Sequence, residues 1–206
     1  MKTQLVRWHC SRNALWNRAF YSTRKATKNA SSATPATMTS MVSQRQDLFM
    51  TDPLSPGSMF FLPNGAKIFN KLIEFMKLQQ KFKFGFNEVV TPLIYKKTLW
   101  EKSGHWENYA DDMFKVETTD EEKEEYGLKP MNCPGHCLIF GKKDRSYNEL
   151  PLRFSDFSPL HRNEASGALS GLTRLRKFHQ DDGHIFCTPS QVKSEIFNSL
   201  KLIDIV

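Results

Sequence analysis

The sequence predicts an α+β fold, and three observations lead to this prediction. Residues 160–186 contain two flanks around a Gly- and Ser-containing segment, and alternate side chains on each flank share one polar face, as in a long β-hairpin. Residues 66–82 carry apolar side chains at helical spacing. Residues 192–206 carry a second helical stripe. With 206 residues, the chain is long enough for one domain with a sizeable core.

The positive charge of the chain is concentrated near its N-terminus. The formal net charge is +7, but eight Lys and Arg residues precede Asp47, which is the first acidic residue. The remainder of the chain is therefore close to neutral. A body of this composition lacks the general basic excess of a non-specific nucleic-acid binder, so any contact with RNA must use local patches.

Residues 1–45 are predicted to be a mitochondrial transit peptide and linker. The segment has no acidic residue and is rich in Arg, Ser, Thr and Ala. On a helical projection, Arg7 and Arg18 lie opposite an apolar side formed by Leu5, Trp8, Leu15, Trp16 and Ala19. A disordered basic tail is the alternative. No apolar run approaches the ~20 residues that a membrane span needs, and the four cysteines give no disulfide framework. We expect a reducing mitochondrial matrix location and no membrane partner.

The next elements follow from periodicity and from Gly and Pro positions. Gly85 is predicted to end the first helix. The predicted elements are, in order, a strand over 58–62, a turn at 63–65, a helix over 66–82, a strand over 86–91 and an acidic, turn-like segment over 111–125. Within that segment, DEEKEE (120–125) is predicted to be a solvated loop.

A second helix is predicted to begin after Asn132, because Pro134 is well placed in a first helical turn. Cys133 then lies at a helix N-terminus, where the dipole favours the metal-binding thiolate. A buried structural cysteine is the alternative. A local zinc knot is less favoured, because His136 and Cys137 are expected to point away along the helix.

The predicted hairpin carries an unusual mixture of polar groups. Arg162 and Glu164 share a face on its first flank, and residues 165–173 form the loop. The second flank contributes Arg176, Phe178, Gln180, Asp182 and His184. Such a face suits a phosphorylated ligand that carries a base. The alternative for Arg162 and Glu164 is an ion pair, worth less than ~1 kcal/mol if exposed.

These residues resemble a known family. The Arg-x-Glu pair, the loop and the returning strand with Phe178 resemble motif 2 of the class II aminoacyl-tRNA synthetases. MNCPGH (131–136) and QDDGHIF (180–186) are similar to the threonyl-tRNA synthetases, KFGFNEVVTPLI (83–94) resembles motif 1, and LWEKSGHWENYADDMF (99–114) fits the same family. The resemblance runs from about Pro56 to the end of the chain. It implies a class II catalytic core, an antiparallel sheet flanked by helices, incomplete at the C-terminus.

The resemblance also implies a chemistry. Threonine and ATP with Mg²⁺ would give threonyl-adenylate, and the threonyl group would then pass to tRNA(Thr), with a homodimer as the full-length enzyme. Arg162 would be the catalytic residue that holds the α-phosphate, Glu164 would accept from the adenine amino group, Phe178 would stack on the base, and Arg174 would bind ATP. The threonine pocket would be lined by Met131, Gln180 and Asp182, and Zn²⁺ would be held by Cys133 and His184.

Residues 46–206 are then expected to be the N-terminal part of a catalytic domain, with motifs 1 and 2. Motif 3, the anticodon-binding domain and a third zinc ligand are expected beyond residue 206, and we expect the chain to be inactive alone. Two alternatives remain open: another class II synthetase, such as one for serine or proline, and a non-catalytic binding or regulatory protein derived from a synthetase. The combination of MNCPGH with QDDGH favours threonine.

Overall fold

The computed structural model describes residues 4–6, 45–118 and 124–206. The predicted leader and linker therefore lie outside the described residues, except for Arg45 and the segment Gln4–Val6. This segment forms strand β1, which pairs antiparallel with residues 185–187 at one edge of the central sheet.

The described part of the chain alternates short strands with five α-helices. The further strands are β2 (Phe49–Met50), β3 (Phe60–Phe61), β4 (Asn87–Glu88), β5 (Ile94–Lys96), β6 (Lys115–Glu117), β7 (Glu125–Leu128), β8 (Leu152–Asp156), β9 (Pro159–His161), β10 (Lys177–His179) and β11 (Asp182–Cys187). The helices are α1 (Pro63–Leu78), α2 (Lys97–Lys102), α3 (His105–Tyr109), α4 (Cys133–Gly141) and α5 (Val192–Ile205).

The central sheet has the strand order β1-β11-β8-β4, and it confirms the predicted α+β class with antiparallel pairing. Strands β11 and β8 are antiparallel, with His184 opposite Phe154, whereas β4 is parallel to β8. A second sheet has the order β5-β7-β6, and two hairpin-like pairs join β9 to β10 and β2 to β3. None of the described helices is long and apolar enough to cross a membrane.

Helix α1 confirms the helical stripe but begins earlier than predicted. Pro63 starts the helix instead of a turn, because its fixed φ and missing N–H are tolerated at the first helical position. The helix continues as a wider π-helical turn over Gln79–Lys83. Gly85 ends it, as predicted, with a φ of +66°. The strand predicted over 86–91 is shorter, because only Asn87–Glu88 pairs with β8.

Two further predictions have different outcomes. The segment 111–125 is not turn-like throughout, because Lys115–Glu117 forms β6 and pairs with β7. Most of DEEKEE (120–125) lies outside the described residues. The prediction of the last helix is confirmed by α5. This helix is fixed to β8 by Arg153, whose Nε and Nη2 each donate to the Glu195 carboxylate at 2.6 Å.

The core lies between the central sheet and helices α4 and α5. Phe86, Ile185 and Cys187 form a buried cluster against which Val192 packs. On β11, the Phe186 ring stacks on Phe140 of α4 with centroids 4.2 Å apart. Burying a side chain of this size contributes about 1.5–3 kcal/mol. The packing therefore holds α4 against β11, and these two elements carry the predicted metal ligands.

Candidate active site

A hairpin forms within the predicted segment 160–186, but it is limited to strands β9 and β10, which are antiparallel. Leu160 lies opposite Phe178, and His161 lies opposite Lys177. Just past β9, the backbone N–H of Arg162 donates to the Arg176 carbonyl at 2.8 Å, so the two flanks stay paired at the position of Arg162. The hairpin thereby fixes the backbone of Arg162 relative to Phe178.

Arg162 is held over an aromatic ring. Its Cζ lies 5.0 Å from the centroid of Phe178, a cation–π distance, and its Nε donates to the Pro130 carbonyl at 3.4 Å. Burial lowers the pKa of Arg162, and the charges of Glu164 and Asp112 oppose that shift. A guanidinium stays protonated in proteins. The result is a planar cation with fixed orientation, which suits an anionic oxygen pair.

Glu164 and Arg174 form an ion pair across the base of the loop. Nε and Nη2 of Arg174 both lie 2.7 Å from Glu164 Oε2. The Glu164 side chain is 13% exposed, while that of Arg174 is 57% exposed, so the arginine can move at low cost. Arg176, by contrast, is a loop anchor: its Nε donates to the Glu164 carbonyl at 2.9 Å and its Nη2 to Ser166 Oγ at 3.2 Å.

The second flank is not one continuous strand, so the prediction of a single polar sheet face is wrong. Strand β10 belongs to the two-stranded pair, whereas β11 belongs to the central sheet. Gln180 and Asp181 lie at the break, where the Asp181 carbonyl accepts from Gln80 Nε2 of the π-helical turn at 3.4 Å. Burial, with a smaller contribution from the charge of Asp182, raises the pKa of Asp181 to about 6.

Asp182 opens β11 opposite Asp156. Its negative charge raises the pKa values of both Arg162 and Lys129, although burial outweighs it in each case. Asp182 therefore acts electrostatically on both Arg162 of the hairpin and the buried Lys129. Predicted site residues from the two sheets are thus close enough to interact.

Cys133 and His184 are both buried, on α4 and β11 respectively. Cys133 is the first residue of α4 with Pro134 beside it, as predicted. Gly135 permits the close packing of this helix start, because a Cβ there would lie 2.6 Å from Tyr95 Oη and 3.0 Å from Thr91 Cγ2. Thiol and imidazole are the donors that zinc prefers, so these two residues fit that metal. Among the described residues, no group of three or more His, Cys, Asp and Glu side chains is arranged to hold a metal ion.

The expectation for His136 was wrong. Its ring is fully buried, and its Nδ1 lies 2.7 Å from His184 Nδ1. His136 therefore points toward β11, and because positions i and i+3 share a helix face, Cys133 lies on the same side of α4. Cys137, one residue later, is exposed as expected.

Sequence reasoning also missed a buried ionic group beneath this site. Lys129 and Asp156 are completely buried, with Lys129 Nζ 3.7 Å from Asp156 Oδ2. The Thr91 hydroxyl donates to Asp156 Oδ2 at 2.7 Å and accepts from Lys129 Nζ at 2.8 Å. Burial alone would raise the pKa of Asp156, but interactions with His136, Ser158 and Thr91 hold it well below its usual range. Partners 27 and 65 residues apart leave no local signal for such a group.

Met131 lies beside the hairpin, since its neighbour Pro130 accepts the bond from Arg162. Met131 is buried, and its Sδ lies 2.7 Å from Nε2 of His105 on α3. Ser103 Oγ lies 2.8 Å from the other ring nitrogen of His105. The contact joins the segment 99–114, which supplied part of the resemblance, to the start of α4.

An apolar cavity of about 290 Å³ adjoins the hairpin. Phe178 and His179 of β10 contribute to its wall, and loop residues Leu172 and Leu175 contribute a second part. The remaining lining residues are Met59, Phe61, Ala66, Phe69 and Lys177. Phe178 therefore contacts the Arg162 guanidinium and also lines an apolar space next to the polar groups.

Comparison with known proteins identifies the family. Residues 114–206 match the model of the tRNA synthetase class II core domain (G, H, P, S and T). The chain belongs to the class II aminoacyl-tRNA synthetases. Its match to a solved threonyl-tRNA synthetase RNA-binding domain from Cryptosporidium parvum has a TM-score of 0.77 and 48% identity, and covers 81% of this chain and 41% of that one. The predicted class II core is therefore confirmed.

Several curated relatives of this class II chain are named threonine–tRNA ligases. It is 59% identical over 167 residues to a Schizosaccharomyces pombe protein named "Probable threonine--tRNA ligase, mitochondrial", covering 79% of this chain and 35% of the relative. It is 57% identical over 161 residues to the cytoplasmic threonine–tRNA ligase of Caenorhabditis elegans, covering 78% of this chain and 22% of the relative. The chain thus spans about a third or less of the length of these relatives.

Proposed function

We propose that this chain provides the first part of the catalytic site of a threonine–tRNA ligase. The observation that carries the proposal is the cluster on the β9–β10 hairpin, where Arg162 is held over Phe178 while Glu164 pairs with Arg174. The reaction would join threonine to ATP as threonyl-adenylate and release pyrophosphate. Transfer of the threonyl group to tRNA(Thr) would follow.

The roles follow from the chemistry of each group. Arg162 would hold the α-phosphate, whose oxygens gain charge as the threonine carboxylate attacks, because its planar fork can donate two parallel hydrogen bonds. Phe178 would stack on adenine. Glu164 would accept from the adenine amino group and Arg174 would turn to the phosphates of the Mg²⁺–ATP complex, which requires that their ion pair opens.

Threonine would be selected at the junction of α4 and β11. Cys133 and His184 would hold a zinc ion, and when bound, that ion would offer a coordination position to the amino and hydroxyl groups of threonine. Met131, Gln180 and Asp182 would line the pocket. A site that requires the hydroxyl rejects valine more strongly than an apolar pocket could.

A chimera tests the proposed reaction. Residues 45–206 would replace the matching segment of the S. pombe relative, and threonine-dependent ATP–pyrophosphate exchange would be measured. We expect exchange within about tenfold of the parent enzyme, with threonine strongly preferred over serine and valine. A folded chimera without exchange would refute the proposal, and exchange driven by serine or proline would reassign the substrate.

The zinc site has a matched control on one helix. Cys133→Ala should lose zinc from the chimera, measured by metal analysis after dialysis, because a buried thiolate ligand is removed. Cys137→Ala, on the same helix but exposed, should keep zinc equal to the parent. Equal zinc content in both variants would exclude Cys133 as a ligand.

We also propose a homodimer formed through the motif 1 region. Phe82 at the end of the α1 region is 72% exposed and Val90 is 82% exposed, so apolar area lies open here. Light scattering should give a dimeric chimera, and Val90→Asp should weaken it. A parent chimera that remains monomeric at micromolar concentration would contradict this assembly.

The proposed location is the mitochondrial matrix, on the composition of residues 1–45. Both mitochondrial and cytoplasmic ligases are close relatives, so location needs its own test. A reporter fused to residues 1–45 should enter mitochondria, and replacing Arg7, Arg12 and Arg18 by Gln should abolish import. A uniform cytosolic signal from the unmodified fusion would show that residues 1–45 do not direct import into mitochondria.

A further inference from the structure

Three buried side chains form a line that ends at the proposed zinc ligand. Asp156 Oδ2 lies 3.7 Å from His136 Nε2, and His136 Nδ1 lies 2.7 Å from His184 Nδ1. The two imidazole rings are almost perpendicular, at 86°. Asp156 and His136 are fully buried, and His184 is 1% exposed. Water therefore has little access to the ring nitrogens that face each other.

The contact between the two rings requires one donor and one acceptor. Two ring nitrogens 2.7 Å apart can share a single proton, so one histidine donates and the other accepts. Which one donates depends on what lies at the far side of each ring.

Asp156 determines which of the two histidines donates the hydrogen bond. Its carboxylate already accepts from the Thr91 hydroxyl at 2.7 Å and from the Ser158 backbone N–H at 2.8 Å, which favours its ionised form. A carboxylate only accepts hydrogen bonds, so a neutral His136 is stabilised with its proton on Nε2, the nitrogen that faces Asp156. At 3.7 Å, Asp156 Oδ2 and His136 Nε2 interact electrostatically and do not form a full hydrogen bond, but the negative charge still favours a proton on Nε2.

We propose that His136, oriented by Asp156, is a positioning residue that fixes the tautomer of His184. With the proton of His136 on Nε2, its Nδ1 accepts from Nδ1–H of His184. Nε2 of His184 then carries the lone pair and is the atom that binds the metal. This inference rests on the zinc site of the proposed function, but the tautomer itself exists without any metal.

The direct measurement is the tautomer in the metal-free chain. Nitrogen NMR on the full 206-residue chain with ¹⁵N-labelled histidine, at pH 7.5 with chelator present, distinguishes protonated from bare ring nitrogens. We expect His184 to carry its proton on Nδ1 and His136 on Nε2. A proton on Nε2 of His184, or on both nitrogens of His136, would overturn the proposal.

Variants of the chimera test the consequence for metal binding, with zinc alone as the probe and a chelator competing for it. His136→Gln keeps an acceptor for His184 and a donor for Asp156, whereas His136→Leu keeps neither. We expect His136→Leu to weaken zinc binding about 10- to 100-fold, the usual effect of losing such a partner, and His136→Gln to restore most of it. Cys137→Ala is the control from the same helix.

The outcomes separate this inference from the proposed function. Zinc binding by His136→Leu equal to that of the parent would overturn the role of His136. Absence of zinc binding in every chimera, the parent chimera included, would reject the zinc site, while the NMR result would still decide the tautomer. The visible spectrum of the cobalt-substituted chimera gives a further readout, because a change in ligand orientation alters it while a general loss of stability does not. If His136→Leu does not fold, the parent and His136→Gln carry the test.

Discussion

Lys129 and Asp156 should respond very differently to removal, although both are completely buried. Asp156 has donors besides Lys129: the backbone N–H and hydroxyl of Thr91, at 3.3 and 2.7 Å, and the backbone N–H and hydroxyl of Ser158. Lys129 has fewer supports besides Asp156, since its Nζ donates only to the carbonyl and the hydroxyl of Thr91, at 3.3 and 2.8 Å, among the described residues. The Asp156 carboxylate therefore keeps more hydrogen bonds when Lys129 is removed than the Lys129 ammonium keeps when Asp156 is removed.

The magnitude follows from what each substitution leaves behind. Lys129→Met removes a buried charge together with its desolvation cost and leaves Asp156 hydrogen-bonded, so we expect a loss of about 1–2 kcal/mol in the free energy of unfolding. Asp156→Asn leaves an ammonium group in the interior without its main counter-charge, and a loss of about 3–5 kcal/mol is expected. Because the two residues interact, the double variant should be less unstable than the sum by about 1–3 kcal/mol.

The assay is urea unfolding of the parent, both single variants and the double variant at pH 7. The reasoning would be refuted if Lys129→Met were as destabilising as Asp156→Asn, or if the two effects simply added. A pH series adds a sign test. Burial lowers the pKa of Lys129, so the unfolded chain binds its proton more readily than the folded chain and stability should rise as pH rises toward about 10. Loss of Asp156 removes a charge that raises this pKa, so the rise should begin at a lower pH.

Three further predictions concern the site. Arg162→Lys in the chimera keeps the charge but loses the paired donors, so the rate of adenylate formation should fall about 100-fold, equal to about 2.7 kcal/mol. The ATP affinity should change much less. An unchanged rate with a large loss of ATP binding would mean that Arg162 acts in ATP binding and not in the transition state. Asp182→Ala should keep zinc but raise the threonine KM, and metal analysis beside steady-state kinetics checks both. Asp181 has a pKa of about 6 in the folded chain, so its ionisation should lower the stability of the folded chain as pH rises from about 4 to 6. In urea unfolding, Asp181→Asn should therefore be more stable than the parent at pH 7, by up to about 3 kcal/mol, and equal to the parent below about pH 4.

Local sequence patterns determined the elements that depend on neighbouring residues. The spacing of apolar residues predicted α1 and α5, because a helix has to bury one stripe. Pro134 predicted the start of α4, because proline is tolerated in the first turn. The two flanks of the β9–β10 hairpin were likewise evident, since side chains alternate along a strand. These features require only a few adjacent residues.

Tertiary structure decided which of those side chains meet. Strand alternation placed residues 176–184 on one face, but the chain breaks at Gln180 and Asp181, and β11 pairs with β8 instead of continuing the hairpin. Helical spacing alone did not show which way the His136 side chain points. The packing of β11 against α4 decided this, because it brings His136 next to His184. The Lys129–Asp156 pair joins residues 27 positions apart, and Thr91 bridges them from a third segment. A local pattern specifies the side of a helix or strand on which a residue lies. The partner of that residue depends on packing between distant segments, because this packing excludes water, and a polar group without water needs a hydrogen-bond partner in the protein.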